Sequence, residues 1–262
     1  MSGLALIARG EGGFTPPGPG NFDLPGFFGT EITKPMVQLF LAALIVFGFF
    51  YMAAKQRRLV PSKLQYIGEG GYGMVRNSIA RDIIGSRDFM PFVPYLFAIF
   101  FFILVNNFFG SFPGIQFPTF SRASMAYALT ALSWVIYNAV GVRKHGLLGY
   151  LKLQSVPHGV SKAMYPLLVP LEFFSNIIVR PVTLALRLFC NMFAGHLLLM
   201  LFAMGGEYML IHGTALIKPV GVLAWVLAIL ISFLELLVQF LQAYVFTLLN
   251  AMYIQGALAD EH

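Results

Sequence analysis

An arginine stands deep inside an apolar stretch in the last third of the chain. Arg187 belongs to the segment R-P-V-T-L-A-L-R-L-F-C-N-M-F-A-G-H, residues 180–196. An ionised group inside a membrane is costly, and a guanidinium keeps its proton even there. A snorkelling anchor would lie within a turn or two of a helix end, and Arg187 is farther in. We therefore interpret Arg187 as a fixed cation on an ion path.

Other polar residues follow Arg187 at informative spacings. Asn191 comes four residues later and shares its helix face. His196 comes nine residues later, which at 100° per residue places it on the opposite face, roughly 13 Å along the axis. Ala194 and Gly195 are small enough to let a neighbouring helix approach closely. The helix thus presents a permanent cation to one side and a titratable group to the other.

The last apolar segment carries a matching set of polar side chains. Glu235, Gln239 and Gln242 lie on one stripe, because they are spaced by four and seven residues. In an antiparallel hairpin with its turn near residue 215, His196 reaches the depth of Glu235, and Arg187 reaches that of Gln242. A histidine and a glutamate at one membrane depth favour a proton relay over a structural histidine.

Glu172 is a further acid within an apolar stretch, and Ser175 and Asn176 follow it. Two interpretations stay open for it: a lining residue of a second aqueous path, or a helix-end carboxylate that faces water. We expect four other titratable residues to lie in solvated loops: His145, His158, Glu207 and His212. The sequence indicates no metal site and no cofactor site.

Composition defines the environment of these residues. Of the 262 residues, 58% are hydrophobic and 11% are charged, which is typical of a polytopic membrane protein. The net charge of +6 could suggest nucleic acid, but the basic residues stand in short loops beside apolar segments, where they set topology. We therefore exclude nucleic acid and expect one membrane domain over residues 1–262. The single cysteine, Cys190, cannot form an intrachain disulfide.

The predicted fold is all-α, with five membrane-crossing helices and one interfacial amphipathic helix. Fully helical, the last two spans would be roughly 63 Å and 55 Å long, against a hydrocarbon core of about 30 Å. They should therefore form a strongly tilted hairpin over residues 163–255. Three prolines offer bends in its first arm: Pro166, Pro170 and Pro181. The predicted spans are 36–54, 91–110, 123–142, 163–204 and 219–255.

Topology follows from the basic residues, which concentrate in loops 55–90 and 143–162 and are scarce in the loop 205–218. The basic loops should be cytoplasmic, with the N-terminus outside and the C-terminus inside. Residues 1–35 are rich in glycine and proline and predict an irregular external tail. In residues 62–88 the four-residue spacing of Val75, Ile79 and Ile83 predicts an amphipathic helix on the cytoplasmic surface.

A glycine-rich stretch within that segment resembles a kinase phosphate loop. Residues 68–75 read G-E-G-G-Y-G-M-V and match GxGxxGxV letter for letter. A kinase also needs a strand lysine, an H-R-D loop and a D-F-G motif, and the chain has none of them. We reject nucleotide binding and interpret the glycines as a flexible entry to the interfacial helix.

The motifs taken together resemble subunit a of F-type ATP synthases. The resemblance rests on R-L-F-C-N-M-F-A-G-H (187–196), on L-Q-A-Y-V-F (241–246) and on the preceding Glu235, and it extends from about residue 34 to the end. Three shorter motifs look like actinobacterial members: E-F-F-S-N (172–176), V-R-P (179–181) and Y-I-Q-G-A-L-A (253–259). Two departures stand out: Cys190 occupies a position where glycine is common, and Glu172 is one residue farther from Arg187 than the usual acid.

The resemblance implies a proton-conducting stator subunit that is not itself an enzyme. It implies as partners a rotating ring of c subunits, b-type peripheral stalk subunits and the bilayer of a bacterial plasma membrane. Arg187 would separate two half-channels, with Asn191, Gln239 and Gln242 beside the path. His196 and Glu235 would line the outer half-channel, and Glu172 would line the inner one.

Two alternatives come from other classes of protein. A self-contained channel or secondary transporter would show internal repeats with polar sites in both halves, whereas the buried ionisable residues here lie in the last third. An intramembrane hydrolase would need a base beside Ser175 or Ser232, and neither has an evident histidine partner.

Overall fold

Helices account for all regular secondary structure in the described part of the chain. The computed structural model describes residue 14 and residues 16–18, 34–55, 62–112, 118–155 and 164–259. Five helices are long and apolar enough to cross a membrane. The chain is therefore an all-α integral membrane protein, as the sequence predicts. Of the predicted tail, 1–35, most residues lie outside the described ranges.

The helices follow one another with few interruptions. A π-helical segment, Met74–Ile84, directly follows the helix Lys63–Gly73, and a second one, Ser175–Val179, joins the helices Tyr165–Phe174 and Arg180–His212. Because of this second junction, residues 165–212 form one helical rod of 48 residues. The α-helices are α1 Lys34–Lys55, α2 Lys63–Gly73, α3 Val93–Ser111, α4 Ala123–Ser155, α5 Tyr165–Phe174, α6 Arg180–His212 and α7 Lys218–Leu258.

The third span does not end where the sequence predicted. Instead of stopping at residue 142, α4 continues to Ser155 and breaks at Gly146, whose φ of 73° lies in the left-handed region that favours glycine. The ring of Tyr150 then packs directly against Gly141. Arg143, Lys144 and His145 therefore extend the span by about one more turn, and the helix after Gly146 doubles back on that span. His145, predicted to lie in a loop, is thus helical, and His158 lies outside the described residues.

The hairpin turn lies at residues 213–217, between the end of α6 and the start of α7. This agrees with a turn near residue 215, but the turn is shorter than the predicted loop, 205–218. Gly206 lies within the helix, and a Cβ at this position would come within 3.1 Å of the Gly221 carbonyl oxygen across the hairpin. Glu207 and His212 are therefore helical residues of α6, not loop residues.

Residues 62–88, predicted to be amphipathic, bury their apolar stripe. Val75 and Ile79 are fully buried, and Ile83 packs partly against the same core. The expected flexible glycine entry is wrong, because these glycines are helical. A Cβ on Gly68 would come within 3.0 Å of Ala53 Cβ, and one on Gly71 within 2.7 Å of the Phe101 ring. The glycines allow α2 to pack closely on α1 and α3.

The apolar core lies between α3, α4, α6, α7 and the first π-helical segment. Its largest fully buried side chains include Phe100, Phe246, Leu188 and Met192. The hairpin arms α6 and α7 share the most extensive interface in the described chain. At the far end of the hairpin, the ring of Phe14 lies 5.5 Å from that of Tyr208. The described part of the N-terminal tail thus lies at the end of the molecule that holds the hairpin turn.

Candidate functional site

His196 and Glu235 meet across the hairpin. The imidazole Nδ1 of His196, on α6, contacts the carboxylate Oε1 of Glu235, on α7, and both residues are 6% exposed. Two titratable groups that deep in an apolar fold stay there because each satisfies the other. The structure thus brings together the two side chains that the sequence placed at one depth.

Two glycines make room for this pair. The Oε1 atom of Glu235 lies 3.1 Å from where a Cβ on Gly195 would stand. On the other side, the Nε2 atom of His196 packs directly against Gly110, near the end of α3. A side chain at either glycine would push the pair apart, so both positions hold the imidazole and the carboxylate in place.

A third helix extends this pair into a polar cluster, comprising His196, Glu235, Gln239, Asn107 and Ser111, which is buried except at the exposed Ser111. The Gln239 side chain donates to the Ser111 hydroxyl at 2.7 Å, and Asn107 donates to the Gln239 carbonyl at 3.1 Å. Gln239 and Asn107 are fully buried. Amide and hydroxyl groups of this kind can hold water molecules in fixed positions by hydrogen bonds.

The α3 members of the cluster were missed by the sequence analysis. A signal exists in the four-residue spacing of Asn107 and Ser111, which places two polar side chains on one face of an otherwise apolar helix. Their role depends on Gly110, which lies between them in sequence and lets the His196 side chain of α6 approach α3. That dependence on tertiary packing is not visible in the spacing alone.

Gln242 contacts the neighbour of Arg187, not Arg187 itself. Asn191 donates to the Gln242 side-chain oxygen at 2.6 Å. Asn191 is one helical turn beyond Arg187, so this bond is one turn closer to the hairpin turn than the predicted pairing of Arg187 with Gln242. Gln242 is buried and Asn191 is exposed, so the bond links the core to the outer face of α6.

Arg187 lies on the outside of the molecule, opposite His196. It is exposed, and it has no ion-pair or hydrogen-bond partner within the described ranges. Its neighbours on the same face, Cys190 and Ala194, are also exposed. The adjoining surface of α7 is apolar, with Leu237 and Leu241 both exposed. Arg187 therefore stands on a largely apolar surface, and no acid of the described residues pairs with it.

The region of Glu172 is built differently from the polar cluster. Glu172 and Ser175 are half-buried, and neither side chain makes a hydrogen bond or an ion pair with another described residue. Asn176 donates to the Gln154 carbonyl at 2.6 Å, which ties the second π-helical segment to α4. Glu172 and Arg187 are not brought into contact, and the described residues contain no cluster of three histidine, cysteine or acidic side chains that could hold a metal ion.

The fold and the site define a class: an all-α membrane protein with a buried His–Glu pair and an exposed arginine on a long helical hairpin. The family model of the ATP synthase A chain matches residues 36–255. The chain therefore belongs to the ATP synthase A chain family.

Curated relatives agree with this assignment. The chain is 61% identical over 272 residues to ATP synthase subunit a of a Nocardioides species, with 98% of each chain covered. It is 48% identical over 267 residues to ATP synthase subunit a of Pseudarthrobacter chlorophenolicus, with full coverage of both chains. It is 36% identical over 258 residues to that of Streptomyces lividans, covering 95% of this chain and 90% of the relative.

Proposed function

We propose that the chain conducts protons as the stator subunit of the membrane sector of ATP synthase, and that it does so through two half-channels that meet at Arg187. The observation that carries this proposal is the exposed Arg187 on an apolar face. An unpaired guanidinium on a surface that would otherwise contact lipid is costly unless another chain supplies its counter-charge. A ring of c subunits, each with one carboxylate, supplies that charge.

The polar cluster forms the outer half-channel in this proposal. His196 and Glu235 exchange a proton across their contact, and Gln239 with Asn107 and Ser111 orients the water that brings it. The cluster lies toward the hairpin turn relative to Arg187, so it opens to the side on which residues 213–217 lie. The proton passes from Glu235 toward Gln242 and then to a ring carboxylate beside Asn191.

Arg187 couples proton movement to rotation by its charge. A permanent cation favours the ionised form of a ring carboxylate, so a carboxyl that approaches Arg187 loses its proton to the inner path. The same charge repels a proton that would pass directly from one half-channel to the other. Protons therefore cross the membrane only while they are bound to ring carboxylates. The chain itself catalyses no reaction beyond the transfer of these protons.

Glu172, with Ser175 and Asn176, lines the inner half-channel in this proposal. Glu172 is half-buried, which leaves its carboxylate within reach of water. The segment lies on the side of Arg187 away from the hairpin turn. A proton released near Arg187 can therefore leave past this segment into the cytoplasm.

The proposed setting is a bacterial plasma membrane, with the N-terminus outside and the C-terminus in the cytoplasm. The basic residues of the first π-helical segment, Arg76 and Arg81, and those on either side of the break in α4, Arg143, Lys144 and Lys152, would then face the cytoplasm. A c-ring would cover the Arg187 face, and b-type peripheral stalk subunits would hold the chain against rotation. A self-contained channel or transporter is the alternative function.

The native thiol of Cys190 tests this proposal, because it is the only cysteine and lies exposed on the Arg187 face. Membranes are treated with a thiol-directed photo-crosslinker and then solubilised gently. We expect a crosslink to a small two-helix ring subunit. The control is Cys190→Ser with Phe47→Cys, an exposed thiol on α1, which should give no ring product. A chain that purifies alone, conducts ions and gives no crosslink would favour the self-contained channel.

A further inference from the structure

We propose that Arg180 is a second fixed cation of the ion path, which lowers the proton affinity of the ring carboxyls where they face the inner half-channel. This proposal rests on the proposed function and extends it. Arg180 comes from the V-R-P motif, which neither the half-channel residues nor the hairpin pairing uses. It is seven residues before Arg187, so the two share a helix face about 10 Å apart along the axis.

Arg180 is held by aromatic rings in place of extending freely to the aqueous phase. Its guanidinium carbon lies 5.5 Å from the centroid of the Tyr253 ring on α7. The Tyr253 ring in turn lies 5.3 Å from that of Tyr137 on α4, which is 2% exposed. A guanidinium over an aromatic face is attracted by the ring quadrupole, more strongly where water is scarce. The stack therefore fixes the position of this charge.

The position of Arg180 does not suit a simple helix-end anchor. It lies within the rod of residues 165–212, fifteen residues from the nearer end. The groups that face it are phenols and not carboxylates: Tyr253 on α7 and, within electrostatic range, Tyr137 and Tyr150 on α4. Arg187 is the next charged group along its own rod in one direction, and Glu172 in the other. Among the described residues, no acid forms an ion pair with Arg180.

The chemical consequence is a bias on proton release. A ring carboxyl that has left the outer half-channel must lose its proton at cytoplasmic pH. A fixed cation near the inner path stabilises the carboxylate product and so lowers the pKa of that carboxyl. With unit charges about 10 Å apart and an effective dielectric of about 20, the pKa shift is on the order of one unit.

The test is the pH dependence of ATP-driven proton pumping in inverted membrane vesicles, whose outer medium bathes the cytoplasmic side. Pumping requires the ring carboxyl to take up a proton from that medium. The pumping rate therefore falls as the pH of the medium rises through the pKa of the ring carboxyl. Each rate is divided by uncoupled ATP hydrolysis at the same pH. We call the fall in pumping rate at high pH the alkaline limb. Arg180→Gln should move this limb to higher pH by about one unit, and Arg180→Lys should leave it in place.

Two further variants separate charge placement from packing. Tyr253→Phe keeps the ring and should keep the wild-type profile. Tyr253→Leu removes the ring that holds Arg180 and should shift the limb in the same direction as Arg180→Gln, which also provides a test if Arg180→Gln does not assemble. An unshifted limb in Arg180→Gln or in Tyr253→Leu would overturn the proposal, as would equal shifts in Arg180→Gln and Arg180→Lys. If Arg187→Ala still pumps, the proposed function itself fails, whatever Arg180 does.

Discussion

The indole of Trp134 replaces a hydrogen bond that Pro181 cannot make. Proline has no backbone N–H, so the α-helical hydrogen bond from residue 181 to the carbonyl of Ile177, four residues earlier, cannot form. Trp134 Nε1 on α4 donates to that carbonyl at 3.1 Å. The carbonyl lies in the π-helical segment Ser175–Val179, directly before the helix that carries Arg187. A side chain on a neighbouring helix therefore stabilises the junction that sets the position of Arg187.

Trp134→Phe should destabilise the protein by about 1–3 kcal/mol, because it removes the indole hydrogen bond to a backbone carbonyl in an apolar setting. The measurement is thermal unfolding in detergent micelles, followed by loss of the monodisperse species. Trp225→Phe is the matched control, since Trp225 is 47% exposed on α7. Equal losses in the two variants would show that the Trp134 hydrogen bond contributes nothing specific.

Gly110→Ala should block proton transport, because the new methyl group would occupy the space of the His196 Nε2 atom. The imidazole must then move, and its contact with Glu235 lengthens or breaks. We expect ATP-driven pumping to fall by at least about tenfold, in line with the loss of a positioned proton carrier. Gly48→Ala is the control, since nothing lies within 4 Å of a Cβ there. Near-normal pumping in Gly110→Ala would remove His196 from the path.

Exchanging the residues of the His196–Glu235 pair tests whether the contact itself matters. His196→Gln and Glu235→Gln each leave one titratable group without its partner, so each should slow pumping by at least about tenfold. The double variant His196→Glu with Glu235→His restores an imidazole and a carboxylate at the same depth. It should recover a measurable part of the lost rate. A double variant no better than either single one would argue against a relay across this contact.

The topology is tested by labelling single cysteines in a Cys190→Ser background. Ser78→Cys lies on the exposed side of the first π-helical segment, and Leu216→Cys lies in the hairpin turn, where the native leucine is 89% exposed. An impermeant maleimide should label position 216 from outside intact cells and position 78 only in inverted vesicles. Labelling of position 78 from outside would invert the proposed orientation.

The hairpin register could be predicted from the sequence because buried polar groups must find partners at equal depth. That requirement places His196 beside Glu235 and fixes the turn near residue 215, without any knowledge of packing. The predicted register is less accurate farther from the His196–Glu235 pair. Gln242 contacts Asn191 and not Arg187, a difference of one helical turn.

Features that depend on a third element could not be predicted. Asn107 and Ser111 acquire their role because Gly110 lets α6 approach α3, and a pattern within one helix does not reveal that approach. The backward fold of α4 depends on a positive φ at Gly146, one of 26 glycines in the chain. The stretch 68–73 is likewise as rich in glycine as a flexible loop. In the structure it is helical, and neighbouring helices pack closely against Gly68 and Gly71.

The central claim is that Arg187 couples ring rotation to proton movement, and its most direct test is proton flux in Arg187→Ala vesicles. We predict that ATP-driven pumping and ATP synthesis both stop, and that a passive proton leak appears because nothing separates the half-channels. Arg187→Lys should also fail, because a compact ammonium does not reproduce the planar, permanently charged guanidinium. Pumping by Arg187→Ala at close to the wild-type rate would contradict this account.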